Sequence, residues 1–333
     1  SILENYILGL PAKSRTTIFC HDNPDPDALA SALAMNELFT FHGHQAQIVH
    51  GGMIEHHQNQ AMVRQLEIPV RRLILDWEIA DVVKESDIIV AVDFHRPGAN
   101  NVMPNDCIPH IIIDHHSVDE SVTADIAMVS SEYSSTSSMV ASLLMNSNFQ
   151  MNSRVATALS FGIKTDTLGF TRDFNAVDIR SLLWINAWVD SEMLRSIEMP
   201  PRSKETLESF SEALNNKIQI DSTILAPINN LTNRDSLAQI ADFLLPTEGV
   251  DTVVTFGTRR GKVILSVRTN REELHVGRIL SNNFPEGLAG GHKTLGGGQI
   301  PFDFITGNSE ITNEDEVTLV LERATELLKK IFV

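Results

Sequence analysis

Short runs of β-branched residues alternate with longer stretches of helical apolar spacing over the first 190 or so residues. "TTIFC" (16–20) is predicted to be a buried strand, and 27–41 a helix that ends at Gly43. "QAQIVHG" (45–51) is predicted to be a second strand. "DIIVAVD" (87–93) and "PHIIIDHH" (109–116) are short and Ile/Val-rich with little alternation, as strands of a parallel sheet covered on both faces are. Helices are predicted at about 135–146, 153–163 and 176–189. Repeated strand–helix alternation predicts an α/β domain, doubly wound around a mainly parallel sheet.

The texture changes at 190–220, where Pro200-Pro201 stops one helix and a polar amphipathic run starts another. Beyond it, "TVVTFGTRRGKVILSVRT" (252–269) holds two β-rich runs around Arg259-Arg260-Gly261, a hairpin signal, and 317–332 closes the chain as an amphipathic helix. The expected organisation is a first domain at 1–195, a linker helix at 196–220 and a smaller α+β domain at 221–333. A chain of 333 residues is long enough for two cores.

Composition narrows the class. A hydrophobic content of 42% beside 21% charged residues is ordinary for a folded protein and argues against disorder. No apolar run approaches the roughly 18 residues of a spanning helix, and the N-terminus lacks a basic-then-apolar leader, so no membrane partner is expected. Cys20 and Cys107 are too few for a disulfide framework, and the expected location is the reducing cytoplasm. The net charge of −17 argues against a long-duplex binder, which needs surplus Lys and Arg on many phosphates. A small anionic ligand is compatible with that charge if metal ions make a local positive site.

Candidate chemistry gathers at the ends of the predicted strands. In "HDNPDPDALAS" His21, Asp25 and Asp27 follow the first strand; Asp93 follows "DIIVAV"; Asp114, His115 and His116 follow "PHIII". Asp166, in "GIKTDT", stands at a helix end. Ligands in open α/β sheets bind at the carboxyl ends of the strands, so adjacent strands would bring these groups together. Taken singly, Asp25 or Asp27 reads as a helix N-cap, and Asp93 or Asp114 as a strand-end turn residue. Collectively, crowded carboxylates and imidazoles are the donor set of two divalent cations, Mn²⁺ before Zn²⁺, Fe²⁺ or Co²⁺. Such a pair lowers the pKa of water and clamps an in-line displacement at phosphorus.

"HDNPDPDALAS", "VAVDF", "IIIDHHS" and "GIKTDT" resemble, in order and spacing, the successive motifs of the DHH phosphoesterases. "AGGHKTLGGGQI" (289–300), with "SVRT" (266–269) before it, resembles the C-terminal signature of the nanoRNase and RecJ branch. The resemblance implies that His21 and Asp25 hold one metal, that Asp27, His115 and Asp166 hold the other, and that Asp93 bridges them. It further implies that His116 faces the scissile phosphate and Asp114 braces the adjoining histidines. Asn23 is expected to touch substrate or the bridging water. Gly290, Gly291, His292 and Arg268 are expected to bind the nucleotide's other end. The implied partner is a short oligonucleotide or nucleotide, and a homodimer is left open.

The chain departs from the family at "FHRPG" after Asp93, where nanoRNases often have a Thr-Ser-Asp run, and at Ala289, which stands in place of a third Gly. His95 and Arg96 are therefore expected to alter substrate contacts. His42, His44, His50, His56 and His57 lack Cys or acidic partners and read weakly as a third metal site. "GGGQI" (296–300) lacks the ending of a nucleotide P-loop and reads as a turn. Ser135-Thr136 reads as a helix cap, and Arg172 as a phosphate contact or a surface ion pair in equal measure.

The expected activity is hydrolysis of short oligoribonucleotides, pApA or 3′-phosphoadenosine 5′-phosphate by a two-metal activated hydroxide. The alternatives are a cyclic-dinucleotide phosphodiesterase, an inorganic pyrophosphatase or exopolyphosphatase, and, below these, a catalytically silent nucleotide-binding protein.

Overall fold

A computed structural model describes residues 2–54, 56–98, 100–117, 123–171, 174–229, 231–291, 293–307 and 314–333. The chain divides into two units, Ser1–Pro201 and Arg202–Val333. Among the described residues no helix is long and apolar enough to cross a membrane.

The strands of the first unit are β1 (Arg15–Phe19), β2 (Gln45–His50), β3 (Val70–Arg72), β4 (Ile88–Val92), β5 (Ile111–Asp114) and β6 (Ile126–Val129). They form one parallel sheet in the order β3-β2-β1-β4-β5-β6. Its helices are α1 (Ile2–Leu8), α2 (Pro26–Phe41), α3 (His57–Gln65), α4 (Asp76–Glu85), α5 (Thr136–Met145), α6 (Ser153–Asp166), α7 (Ala176–Ile185) and α8 (Ser191–Glu198). Both faces of the sheet are covered, as its unalternating strands require. Ile18, Ile48, Val90, Val92, Ile111 and Ile113 pack with α2 and α6, whereas Phe19, Val49, Ile89, Ala91 and Ile112 pack with Val82 of α4 on the opposite face. The first unit is therefore a doubly wound α/β fold.

Helix α2 has Pro26 in its first turn, where a missing N–H costs nothing, and Asp25 as its cap. Ala28, Ala30, Ala32 and Ala34 are fully buried, so α2 has no polar face and lies against β2, α5 and α6. The approach of α5 and α6 is close: a Cβ on Gly162 of α6 would stand 2.2 Å from Ser137 Oγ of α5 and 3.2 Å from Ala30 Cβ. Small residues at this crossing draw the start of α2, the start of α5 and the end of α6 together.

The second unit holds helices α9 (Lys204–Asn216), α10 (Asp235–Leu244), α11 (Val276–Asn283), α12 (Phe302–Thr306) and α13 (Glu314–Phe332). Its strands are β7 (Ile218–Ile220), β8 (Thr223–Ile228), β9 (Thr252–Arg259), β10 (Lys262–Thr269), β11 (Ala289–Gly291) and β12 (Leu295–Pro301). The sheet order is β11-β12-β10-β9-β8-β7, antiparallel except for the parallel pair β8–β9. Arg260 and Gly261, both at positive φ, turn the β9–β10 hairpin where the sequence places it. Alternation along the strands splits two cores. Leu225, Val254 and Phe256 pack toward α11 and α13, and Ile224, Ala226 and Val253 toward α9 and α10. The 204–216 helix contributes Phe210 and Ala213 to the second of these cores.

"GGGQI" is not a turn. It lies within β12 and pairs in register with β10 and β11. Glycine is needed there for close approach: a Cβ on Gly296 would meet Leu280 and Val276 side chains of α11 at 2.6 and 2.7 Å. The helix expected to reach residue 189 ends at Ile185, and a turn follows in which Trp188 N donates to Ile185 O.

Candidate metal centre

The strand order carries the site. β1, β4 and β5 are neighbours, so His21, Asp93 and the Asp114–His116 run emerge side by side at one edge. The small-residue crossing of α2, α5 and α6 adds Asp25, Asp27 and Asp166. Three groups of ligand atoms result: His21, Asp25 and Asp93; Asp27, His115 and Asp166; and Asp93, His115 and His116, with the atoms of each group within 4.8 Å of one another. Asp93 belongs to two groups and so does His115.

The donor set fits divalent cations. His21 Nε2 lies 3.5 Å from Asp93 Oδ2 and 3.9 Å from Asp25 Oδ1. His115 Nε2 lies 3.3 Å from Asp166 Oδ2, 3.6 Å from Asp93 Oδ1 and 4.0 Å from Asp27 Oδ2. These separations exceed the roughly 2.7–3.2 Å of a good N–H···O bond. They suit two donors that each reach a shared cation over about 2.0–2.2 Å. The two oxygens of Asp93 face different imidazoles, Oδ2 toward His21 and Oδ1 toward His115.

Electrostatics points the same way. Burial and the neighbouring Asp27 push the Asp93 carboxyl up to about 8, and burial and the neighbouring carboxylates push Asp166 up to about 10. Burial also raises Asp27. Burial works against a charge on His21, but the facing carboxylates of Asp25 and Asp93 outweigh that and lift it to about 10. Asp25 is lowered: burial opposes its charge, and His21 and the Ala28 and Asp27 amides overcome it. Protein alone is a poor host for this many carboxylates as anions, and added positive charge is the remedy.

Local structure supplies the orientation. Asp25 lies in one of the ligand groups, and its Oδ1 also accepts from Ala28 N (3.0 Å) as the cap of α2. Asp27 is 0% exposed, and its two oxygens accept from Thr136 N and Ser137 N, 2.7 Å each, at the start of α5. Asp93 is 4% exposed and sits at φ +63°, in the left-handed region that a non-glycine residue occupies at a cost. Ser135 caps α5 by accepting from Ser138 N.

Asp114, 0% exposed, is held between two imidazoles. Its Oδ1 bonds His116 Nδ1 at 2.7 Å and its Oδ2 bonds His95 Nδ1. Burial opposes the charge on Asp114, yet those bonds hold it down at about 2, while Asp114 lifts His116 to about 9. The histidines braced are thus His116 and His95, not the adjoining pair. His95, flagged in the sequence as a departure, is tied to the centre through Asp114. Missed in the sequence was Thr136, read only as part of a cap; its hydroxyl donates to Asp93 Oδ1 at 2.8 Å.

Among the described residues the other candidates join no ligand group. Asn23 Oδ1 accepts from Met53 N (2.8 Å), pinning the turn after β2. Arg268 Nε bonds Asp242 (2.7 Å) in the second unit, and Gly290 and Gly291 pair with Gly297 and Gly296. Arg172 and His292 lie outside the described residues. Of the other histidines, His42 faces the buried Glu4 at 3.4 Å and His44 meets the Ile7 carbonyl at 3.2 Å, so both fasten α1. Burial, Arg72 and His21 lower His50 to about 4. Among the described residues these histidines form no further ligand group.

Residues 15–163 match the DHH family, N-terminal domain, and residues 221–330 the DHHA1 domain. The uncharacterized protein MJ1633 of Methanocaldococcus jannaschii is 32% identical over 292 residues, 87% of this chain and 58% of that protein. The uncharacterized protein MG371 of Mycoplasma genitalium is 28% identical over 172 residues, 50% of this chain and 49% of that one. The chain thus spans about half the length of the curated relatives it matches. An exopolyphosphatase-related protein from Bacteroides fragilis shares the fold, with 19% identity, a TM-score of 0.70 and coverage of 99% of this chain and 98% of that one. The first unit therefore carries a DHH family N-terminal domain and the second a DHHA1 domain.

Proposed function

We propose that the protein is a metal-dependent phosphoesterase that hydrolyses short oligoribonucleotides, linear dinucleotides such as pApA, or 3′-phosphoadenosine 5′-phosphate. The observation that carries this reading is Asp93, one buried carboxylate shared between two imidazole-and-carboxylate groups. His21 and Asp25 would hold one divalent ion, Asp27, His115 and Asp166 the other, with Asp93 between them, and Mn²⁺ suits the mixed donors. Bound there, the ions would supply Lewis acidity toward a phosphate oxygen and lower the pKa of an attacking water.

The protein's own part centres on His116. Its Nδ1 is engaged by Asp114, so the imidazole is fixed in orientation, and its side chain is 57% exposed. Asp114 lifts it to about 9, which favours the imidazolium, and its far N–H would donate to phosphate oxygens as charge grows on them. Water's oxygen bonds to phosphorus, the ester P–O bond breaks, and a proton goes to the departing oxygen. Arg268, Gly290, Gly291 and His292 would hold the far end of the nucleotide. Open space where a Cβ on Gly290 would stand leaves room for a ligand against that backbone.

The test is purified protein with Mn²⁺ and equal pApA, 3′-phosphoadenosine 5′-phosphate, cyclic di-AMP and pyrophosphate, with products separated by ion exchange. AMP released from pApA is the expected result. Pyrophosphate cleaved faster than any nucleotide would replace the nucleotide reading with a pyrophosphatase. Asp114→Asn in the same assay is expected to lower kcat on the order of 10²–10⁴-fold, because it takes away the carboxylate that orients His116 and favours its protonated form. Mn²⁺ affinity should change far less, and equal losses in both would show that Asp114 acts through the metals instead.

A further inference from the structure

Thr136 touches both halves of the metal centre, once through its backbone and once through its side chain. Its N–H donates to Asp27 Oδ2 at 2.7 Å, and its hydroxyl donates to Asp93 Oδ1 at 2.8 Å. Asp27 belongs to one ligand group only, and Asp93 to the two others. We propose that Thr136 is a positioning residue that sets the orientation of the shared Asp93 carboxylate and its spacing from Asp27. The role rests on the metal-centre reading above.

Three observations support it. Asp93 sits at φ +63°, with its N–H committed to Ile113 O at 2.9 Å, so the backbone of the adjacent strand end is fixed but the carboxylate can still rotate. Capturing Oδ1 stops that rotation and leaves Oδ2 directed at His21, 3.5 Å away. Thr136 is 0% exposed, and no water competes for its hydroxyl or replaces it. It also lies in the first turn of α5, which Ser135 caps and which rests on Gly162 of α6, so the donor is carried on a rigid element. A β-branched residue with restricted χ1 suits the position.

Thr136→Val keeps both backbone N–H donors and the side-chain shape and removes only the hydroxyl. Calorimetric titration with Mn²⁺ is expected to show affinity falling roughly 10–100-fold, the usual cost of losing an outer partner of a metal ligand. The electron paramagnetic resonance signature of an adjacent Mn²⁺ pair should give way to that of isolated ions. Thr136→Ser should restore both. If Thr136→Val does not fold, Thr136→Ala gives the same readout. Wild-type affinity and spectrum in the hydroxyl-free variant would overturn the proposal and leave Thr136 a helix-capping neighbour. Failure of the wild type itself to bind Mn²⁺ is a separate result, and it would overturn the metal-centre reading.

Discussion

Asp93→Asn is expected to abolish hydrolysis and to cost more Mn²⁺ affinity than any other single ligand change. Each of His21, Asp25, Asp27 and Asp166 serves one ligand group, so losing one weakens one ion. Asp93 and His115 each serve two, but only Asp93 offers two ligand atoms, and its oxygens face His21 and His115 separately. The fall should exceed the roughly 10–100-fold expected for an outer partner. Asparagine is the informative replacement because it tolerates the positive φ at this position and matches the carboxylate in shape. It also leads to a second, less intuitive outcome. In chelator the variant should be at least as heat-stable as the wild type, because it removes the cost of burying an ionisable carboxyl beside Asp27, a cost met whether that carboxyl is protonated or charged. Isothermal titration, turnover and thermal melts on the same preparations check all three. Retention of two-ion binding would end the bridging role of Asp93.

The second large effect is a pH dependence of stability that metal should cancel. In the metal-free protein Asp93 titrates at about 8 and Asp166 at about 10, against 3.8 unfolded. A raised carboxyl contributes stability that is complete below about pH 4 and lost as pH rises through the folded value. His116 and His21, lifted to about 9 and about 10 from 6.5, behave in the same sense, with stability complete below 6.5 and lost above it. Asp114 at about 2 contributes across this range and loses its contribution only in strong acid. His50, lowered to about 4, opposes the trend, but only between about 4 and 6.5. The clean window is therefore pH 6.5–8.5. There the melting temperature in chelator should fall with rising pH. Mn²⁺ should raise it by an amount that grows with pH, because the ligands must shed protons to bind. Saturation at about a hundredfold excess over Kd corresponds to about 2.7 kcal/mol. A chelated melting temperature that stays flat across the window, with a metal shift independent of pH, would contradict the electrostatics of the site.

Much of this protein was legible in residue order. β4 and β5 showed as unalternating β-branched runs because a strand buried on both faces has few polar positions to confuse the pattern. The β9–β10 hairpin showed because Arg260-Gly261 is local turn chemistry. Elements with mixed or short signals did not show: β3 is three residues long, α1 seven, and β12 reads as glycine punctuation. Its glycines answer to α11 and β11, which are packing partners rather than sequence neighbours.

The candidate site divides along the same physical line. Which residues carry ligand chemistry is a property of side-chain type and of position at a strand or helix end, and both are written in the chain. His21, Asp25, Asp27, Asp93, His115 and Asp166 could all be named that way. Which of them come together depends on β1, β4 and β5 being adjacent and on a glycine at the α5–α6 crossing, contacts between residues well separated along the chain. The same holds for the supporting bonds from Thr136 to Asp93 and from His95 to Asp114. A hydrogen bond reaches about 3 Å, and only the folded chain decides which side chains come that close.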